Sequence, residues 1–197
     1  MKQLISVVIP TYNRAKYVPA AVESVLHQKL PSGYALEILV IDDGSSDNTE
    51  EVLKQFGNKI VYRKIPHSGK PATPRNEALK LARGEIIAFQ DSDDLWADDK
   101  LINQLPVFDD PSIIMSFGNA ETMDQNANKS GEQILHEADL IRAEKFDHLL
   151  EQNAISTLTV MVRTSALNKA GLFNESDELR AVEDYELWLR VAALFPK

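Results

Sequence analysis

Residues 4–14 read LISVVIPTYNR, a strand-like run rich in β-branched residues that reaches Pro10 and then turns polar. An apolar run bounded by a proline predicts a buried strand. Residues 17–27 then place Val18 and Val22 at helical spacing, which predicts a helix. A buried strand followed directly by an amphipathic helix is the first unit of a β-α alternation.

The same alternation continues along the first half of the chain. Further strands are predicted at residues 36–41, 59–64 and 85–89, and further helices at residues 49–56 and 74–82. Residues 47–49 cap the first of these helices, and Gly84 follows the second. The short connections predict the α/β class, as one Rossmann-like domain with a mostly parallel central sheet and helices on both faces.

The second half is less regular. Strands are predicted at residues 113–117 and 158–162, and helices at residues 143–150, 165–170 and 182–194. Residues 122–137 are polar and weakly patterned, which predicts a long loop or excursion. No linker divides the chain, so we expect residues 1–197 to form a single domain.

Composition excludes several classes of function. The chain is 44% hydrophobic and 26% charged, as soluble globular proteins are, and its net charge of −9 argues against nucleic acid as a partner. It has no cysteine, which excludes disulfides, thiolate metal sites and cysteine nucleophiles. The amino terminus leads straight into a strand, and no apolar stretch approaches the roughly 20 residues of a membrane span. We therefore expect a cytoplasmic protein.

Polar clusters follow three of the predicted strands, at residues 10–14, 42–46 and 91–94. Ligands of open parallel sheets bind at the carboxyl ends of the strands. The three clusters are therefore predicted to converge on one crevice.

The third cluster holds Asp91, Asp93 and Asp94, which are three carboxylates in four residues. Their mutual repulsion favours protonation or a bound cation. Oxygen ligands of this kind suit Mg²⁺ or Mn²⁺, with substrate phosphates completing the shell. The cluster therefore predicts a metal-bound diphosphate, the alternative being a solvated acidic loop that caps the next helix.

The segments at residues 6–14 and 40–47 resemble the opening of the family 2 glycosyltransferases, and residues 75–76, 91–94 and 183–184 follow in that family's order. The resemblance implies the GT-A fold, with a nucleotide-binding half at residues 1–94 and an acceptor-side half at residues 95–197. It also implies inverting transfer of a sugar from a nucleotide donor to an acceptor hydroxyl.

On the donor side, the resemblance implies that Asp93 binds the divalent metal and that Asp91 supports the metal or the ribose. The alternative for both residues is the acidic loop described above. In the metal-binding interpretation the nucleotide diphosphate is the expected ligand, and the metal would offset the charge on the departing diphosphate.

The resemblance further implies that Asp43 accepts the imide N–H of uracil, which selects a UDP-sugar, whereas the alternative is turn chemistry with Gly44. Pro10 and Tyr12 would flank the base, with the ring of Tyr12 stacked on it. The alternative for Tyr12 is packing against the first helix. Arg14 either reaches a phosphate or is an ordinary exposed arginine.

Arg75 is implied to contact the pyrophosphate or to order the acidic loop, the alternative being a structural ion pair with that loop. Lys70 is a weaker phosphate candidate, and His67 is expected to be a surface-loop residue. Asp184 is implied to be the general base that deprotonates the acceptor. The alternative is a structural role, in which a negative charge in the first turn of a helix interacts favourably with the helix dipole. Trp188, one turn later, is expected to lie in the core rather than on a sugar.

Many members of the family continue beyond the point where this chain ends, one helix after Asp184. The resemblance therefore implies a catalytic core with an incomplete acceptor end, whose further part would contact the inner face of a membrane. The implied acceptor is a glycan or lipid-linked glycan. A nucleotide-sugar-binding domain without turnover is the alternative function. A nucleotidyltransferase is disfavoured because residues 10–14 contain no glycine.

Overall fold

The computed structural model describes residues 2–136 and 146–195. Its strands are β1 (Gln3–Thr11), β2 (Tyr34–Asp42), β3 (Val61–Lys64), β4 (Ile86–Phe89), β5 (Met115–Ser116), β6 (Glu121–Met123), β7 (Lys129–Gln133) and β8 (Met161–Arg163). Its helices are α1 (Val18–Leu26), α2 (Thr49–Leu53), α3 (Ala72–Leu81), α4 (Lys100–Gln104), α5 (Phe146–Glu151), α6 (Thr164–Ala170) and α7 (Glu183–Leu194). Six strands form one sheet in the order β3-β2-β1-β4-β8-β5, and β6 pairs with β7.

The β-α alternation predicted for the first half is confirmed. The strands β1 to β4 pair in parallel, with β1 between β2 and β4. The register of β1 and β2 runs from Gln3 opposite Tyr34 to Thr11 opposite Asp42. The carboxyl ends of these strands therefore lie at one edge of the sheet, where the polar clusters begin.

Helices cover both faces of the sheet, as predicted. On one face, Ile5, Val7 and Ile9 of β1 share a hydrophobic cluster with buried residues of α1, α2 and α4. On the other face, Val8 shares a cluster with buried residues of α3, α6 and α7, among them Trp188. Because successive strand residues point to opposite faces, β1 is buried from both sides and is apolar along most of its length. Trp188 is 0% exposed, which confirms its core position.

A buried polar network joins β1, β2 and the start of β4. The Ser6 hydroxyl donates to Glu37 at 2.5 Å, and the Gly84 N–H donates to Ser6 at 2.8 Å. Glu37 also accepts from the backbone N–H and the guanidinium of Arg83, at 2.6 and 2.8 Å. Burial raises the pKa of the Glu37 carboxyl, but these hydrogen bonds outweigh burial and hold the pKa below its ordinary value. Gly84 leaves room for the network because a Cβ there would lie 2.6 Å from the Ser6 nitrogen.

The other end of the sheet departs from the parallel pattern. β8 runs antiparallel to both β4 and β5. The strand predicted at residues 158–162 begins later than expected, because a short 3-10 turn, Thr157–Thr159, precedes β8. The strand predicted at residues 113–117 contracts to the two residues of β5.

In the described part of the long loop or excursion expected at residues 122–137, β6 and β7 form a hairpin, whose two strands are not predicted from the sequence. Every residue of β7 is exposed, so the segment has no apolar alternation from which a strand is predicted. Of the helix predicted at residues 143–150, residues 143–145 lie outside the described residues, and α5 covers the rest. Across residues 2–136 and 146–195, we find no helix with the length and apolar character that a bilayer crossing requires.

Candidate active site

The segments that follow β1, β2 and β4 meet at one edge of the sheet, as predicted. The Asp43 N–H donates to the Thr11 carbonyl at 2.8 Å, which joins the ends of β1 and β2. Arg14 reaches across to Asp93, with 3.1 Å between Nε and Oδ2, and so joins the end of β1 to the acidic loop. Asn13 adopts a positive φ of 50° and accepts the Ser46 N–H at 2.8 Å through its side chain.

Asp43 holds the loop that follows β3. The residue is 4% exposed, and its carboxylate accepts the N–H groups of Ser68 at 2.8 Å and Gly69 at 3.0 Å. Gly44 beside it has a φ of +76°, and a Cβ there would lie 2.8 Å from the His67 nitrogen. A side chain at position 44 would therefore push this loop away. The observed contacts fit the turn-and-loop interpretation of Asp43, and its contact with uracil stays a prediction.

His67 is more than the surface-loop residue expected from the sequence. Its ring stacks on Tyr12, with centroids 4.1 Å apart and planes inclined by 15°. Its Nδ1 lies 3.0 Å from the Asp43 carboxylate and 2.8 Å from the Asp43 carbonyl oxygen. The signal that could have revealed it is position, since His67 follows β3 and so belongs to a fourth strand end at the same edge. Tyr12 itself is 40% exposed.

The acidic loop is held by a residue that sequence reasoning missed. Gln90 is fully buried, and its side-chain amide donates to the backbone carbonyls of Asp91 at 3.1 Å and Asp94 at 2.6 Å. It thereby links the two ends of the loop. A glutamine at the end of an apolar strand was the available signal. The Asp91 and Asp93 side chains remain 28% and 46% exposed.

The charges of this loop fit a divalent cation. Burial, followed by the charges of Asp91 and Asp93, raises the pKa of Asp94 to about 6. A cation on Asp91 and Asp93 would relieve that repulsion, and their oxygens are the ligands that Mg²⁺ and Mn²⁺ prefer. In the part of the chain that the structure describes, no group of three His, Asp or Glu side chains is arranged to hold a metal without further ligands. Waters and a substrate diphosphate would supply the remaining ligands.

Arg75 connects the acidic loop to the start of α7. Its two terminal nitrogens contact Asp91 at 3.0 Å and Glu183 at 2.8 Å. Arg75 and Glu183 are only 7% and 4% exposed, and the guanidinium also lies 5.5 Å from the centre of the Phe173 ring. These contacts agree with the ion-pair interpretation and with ordering of the acidic loop. Contact with a pyrophosphate stays a prediction, as it does for Lys70, whose ammonium donates to the Glu175 carbonyl at 2.9 Å.

Asp184 lies on the same cavity as the acidic loop. The cavity has a volume of about 320 Å³, and its lining includes Asp91, Arg75, Glu183, Asp184 and Thr157. One carboxylate oxygen of Asp184 accepts the Thr157 hydroxyl at 2.5 Å, and the other accepts the Tyr185 N–H at 2.7 Å. The carboxylate predicted to be the base and one predicted to support the donor therefore border one space.

Comparison with known families agrees with these motifs. The sequence profile described as Glycosyl transferase family 2 matches residues 6–175. The chain belongs to glycosyltransferase family 2. The resemblance drawn from the strand-end motifs is thereby confirmed.

Two named relatives of this family 2 glycosyltransferase are bacterial proteins. TuaG of Bacillus subtilis strain 168, a glycosyltransferase assigned to teichuronic acid biosynthesis, is 32% identical over 193 residues, which cover 95% of this chain and 71% of TuaG. WfgD of Escherichia coli is named a UDP-Glc:alpha-D-GlcNAc-diphosphoundecaprenol beta-1,3-glucosyltransferase. It is 33% identical over 189 residues, which cover 95% of this chain and 69% of WfgD.

Solved structures share the fold. S. aureus TarS in complex with UDP superimposes with a TM-score of 0.71 at 28% identity, covering 95% of this chain and 54% of TarS. The mannosyltransferase PcManGT of Pyrobaculum calidifontis, in complex with GDP-Man and Mn²⁺, gives a TM-score of 0.74 at 19% identity, covering 99% of this chain and 53% of PcManGT. This family 2 glycosyltransferase has the GT-A fold and spans about half the length of these solved chains.

Proposed function

We propose that this chain carries the catalytic site of an inverting glycosyltransferase that uses a UDP-sugar and a divalent metal. The acceptor would be a hydroxyl of a cell-surface or lipid-linked glycan. The observation that carries this proposal is the shared cavity of about 320 Å³, which Asp91 and Asp184 both line. A group that holds the donor and a base that activates the acceptor must border one space, because the two substrates react in line.

The donor proposal rests on the strand-end segments and on relatives. Tyr12 is an exposed aromatic ring beside the ends of β1 and β3, and such rings stack on nucleotide bases. WfgD is named for UDP-Glc as donor, and TarS has been solved with UDP. UDP is therefore the nucleotide we assign to this chain, and Asp43 is the carboxylate we assign to the uracil imide.

Asp91 and Asp93 are the residues that would hold the metal with the donor diphosphate. When bound there, a divalent cation offsets the charge that develops on the departing nucleoside diphosphate. Arg14 and Arg75 lie against these two carboxylates, at 3.1 and 3.0 Å, and add positive charge on the same side of the site.

Asp184 is assigned as the general base. It takes the proton of the acceptor hydroxyl, the acceptor oxygen attacks the anomeric carbon, and the bond from that carbon to the diphosphate oxygen breaks. One displacement of this kind inverts the anomeric centre. The name of WfgD agrees with inversion in that relative, because the glucose of UDP-Glc is α-linked and the named product linkage is β-1,3.

The experiment incubates the protein with Mn²⁺, UDP-glucose and a synthetic lipid that carries α-GlcNAc-diphosphate. Mass spectrometry detects the added hexose, and the anomeric proton coupling gives the linkage. We expect a β-linked product. Its amount should fall at least about 100-fold in Asp184→Asn, since loss of general-base catalysis costs about 10²–10⁴-fold. A fall of similar size is expected in Asp93→Ala, since the metal would lose a ligand and with it the charge stabilisation of the leaving group. Asp98→Asn, an exposed aspartate outside the cavity lining, is the control.

Transfer that persists undiminished in folded Asp184→Asn would contradict the assigned base. Binding of UDP-glucose without transfer, tested also with UDP-GlcNAc, would instead favour the alternative of a nucleotide-sugar-binding domain without turnover.

A further inference from the structure

The hydroxyl of Thr157 makes the closest side-chain contact to Asp184. It donates to Asp184 Oδ2 at 2.5 Å, a distance typical of a charge-assisted hydrogen bond. Thr157 is 5% exposed and lies on the cavity next to Asp184. None of the sequence motifs includes Thr157, because it belongs to the 3-10 turn that precedes β8.

We propose that Thr157 is a positioning residue for Asp184, whose hydroxyl fixes the carboxylate in the orientation that accepts the acceptor proton. This inference rests on the proposed function, in which Asp184 is the base. It assigns the residue that sets the base geometry, which the family motifs leave open.

The two hydrogen bonds on Asp184 explain how the orientation is fixed. Oδ1 accepts the Tyr185 N–H at 2.7 Å, so it is tied to the first turn of α7. Oδ2 accepts from Thr157, which belongs to a different element. Each carboxylate oxygen has two lone-pair sites, so one on each oxygen remains for a substrate hydroxyl. Without Thr157, the Asp184 side chain would keep only its local backbone contact and could rotate within the cavity.

The backbone of the turn that carries Thr157 accepts hydrogen bonds from side chains of a different segment of the chain. Trp96 Nε1 donates to the Leu158 carbonyl at 3.0 Å. Lys100 Nζ and Gln104 Nε2 both donate to the Thr159 carbonyl at 3.0 Å. The backbone on which Thr157 sits is therefore fixed by three side chains.

Trp96 also links this turn to the donor side of the site. It lies two residues after Asp94, the last residue of the acidic loop of residues 91–94, and it is 4% exposed. The same packed segment therefore connects the residues assigned to the metal with the turn that orients the base. Thr157 stands at the end of that connection, in contact with Asp184.

The test compares Thr157→Val, which removes the hydroxyl and keeps the shape, with Thr157→Ser, which restores the hydroxyl. We expect Thr157→Val to lower kcat for transfer from UDP-glucose by about 10- to 100-fold, the size of effect that follows a misplaced catalytic group. The KM for UDP-glucose and the calorimetric affinity for UDP with Mn²⁺ should stay within about threefold, and Thr157→Ser should recover most of kcat, because only base geometry changes.

Thr164→Val is the matched control, because the Thr164 hydroxyl makes a comparable 2.6 Å hydrogen bond to the Gly84 carbonyl, and Thr164 is absent from the cavity lining. If Thr157→Val does not fold, Thr157→Ala removes the same hydroxyl. In an Asp184→Asn background, Thr157→Val should cause no further loss.

Three results would overturn the inference. An unchanged kcat in Thr157→Val, while Asp184→Asn is inactive, would leave the proposed function standing and remove the role of Thr157. An equal loss in Thr164→Val would assign the effect to general destabilisation. Full transfer by Asp184→Asn would remove the proposed base, and the role of Thr157 with it.

Discussion

Arg75 shows how a single residue serves both stability and the site. Its guanidinium is buried between Asp91 of the acidic loop and Glu183 at the start of α7. Glu183 Oε1 accepts from Arg75, whereas Glu183 Oε2 has no hydrogen-bond partner among the described residues. Arg75 is therefore the observed charge partner of the Glu183 carboxylate. A buried carboxylate that loses its partner is strongly destabilising.

We therefore predict that Arg75→Met lowers the free energy of unfolding by about 3–5 kcal/mol, the cost of breaking a buried ion pair from one side. Urea unfolding at neutral pH measures it. The matched control is Arg63→Met, because Arg63 is a half-exposed arginine whose contact to Glu77 is 3.6 Å long. That variant should lose less than about 1 kcal/mol. Equal losses in the two variants would show that the buried ion pairs of Arg75 contribute no more to stability than the half-exposed ion pair of Arg63.

The Tyr12 ring provides a second prediction at this scale. If it stacks on the nucleotide base, Tyr12→Leu should weaken UDP binding by about 5- to 150-fold, which corresponds to the 1–3 kcal/mol of one base–aromatic stack. Tyr12→Phe keeps the ring and should bind UDP nearly as wild type does. Calorimetry with Mn²⁺ measures both variants. The stacking role is ruled out by a Tyr12→Leu variant that binds UDP as tightly as Tyr12→Phe.

Among the elements, the β-α units of the first half could be predicted from the sequence because local pattern and tertiary position agree there. β1 is apolar on both faces, and α1 has one buried stripe. The hairpin of β6 and β7 could not be predicted, because β7 is exposed along its whole length and has no apolar alternation. Its turn is held by Asp124, whose side chain accepts the N–H groups of Asn126 and Asn128. The antiparallel pairing of β8 with β4 could not be predicted either, because it depends on tertiary packing and not on a local sequence pattern.

The polar network around Glu37 joins β1, β2 and β4, and its effect should depend on pH. The folded state lowers the pKa of Glu37, so the stability it contributes is complete above the unfolded value of about 4.5 and is lost as pH falls through the folded value. We predict that Glu37→Gln lowers the free energy of unfolding by about 1–3 kcal/mol at pH 7, which is the contribution expected of hydrogen bonds to a charged group.

The difference between wild type and Glu37→Gln should shrink as the pH is lowered from 5 towards 3, which urea unfolding at several pH values measures. Glu23→Gln, at an exposed position on α1, is the control. A difference that stays constant over this range would show that the charge of Glu37 contributes nothing to stability.

At the scale of the whole molecule, the location of the site could be predicted because parallel strands bring their carboxyl ends to one edge. Asp43, Asp91 and Asp184 were predicted in this way or by resemblance. The positions of His67 and Gln90 at strand ends were readable from the sequence, but the contacts of His67, Gln90 and Thr157 were not. Each contact is with a residue that is distant in sequence or with a backbone carbonyl. Such contacts exist only after the chain has folded.

The most direct test is calorimetric titration of UDP into the protein with and without Mn²⁺, repeated with Asp93→Ala and with GDP. We predict that UDP binds with Mn²⁺ present, at least about tenfold more weakly without it or in Asp93→Ala, and that GDP binds more weakly than UDP. Binding of UDP that depends on neither Mn²⁺ nor Asp93, or the absence of UDP binding, would contradict a metal-held UDP-sugar at this strand edge.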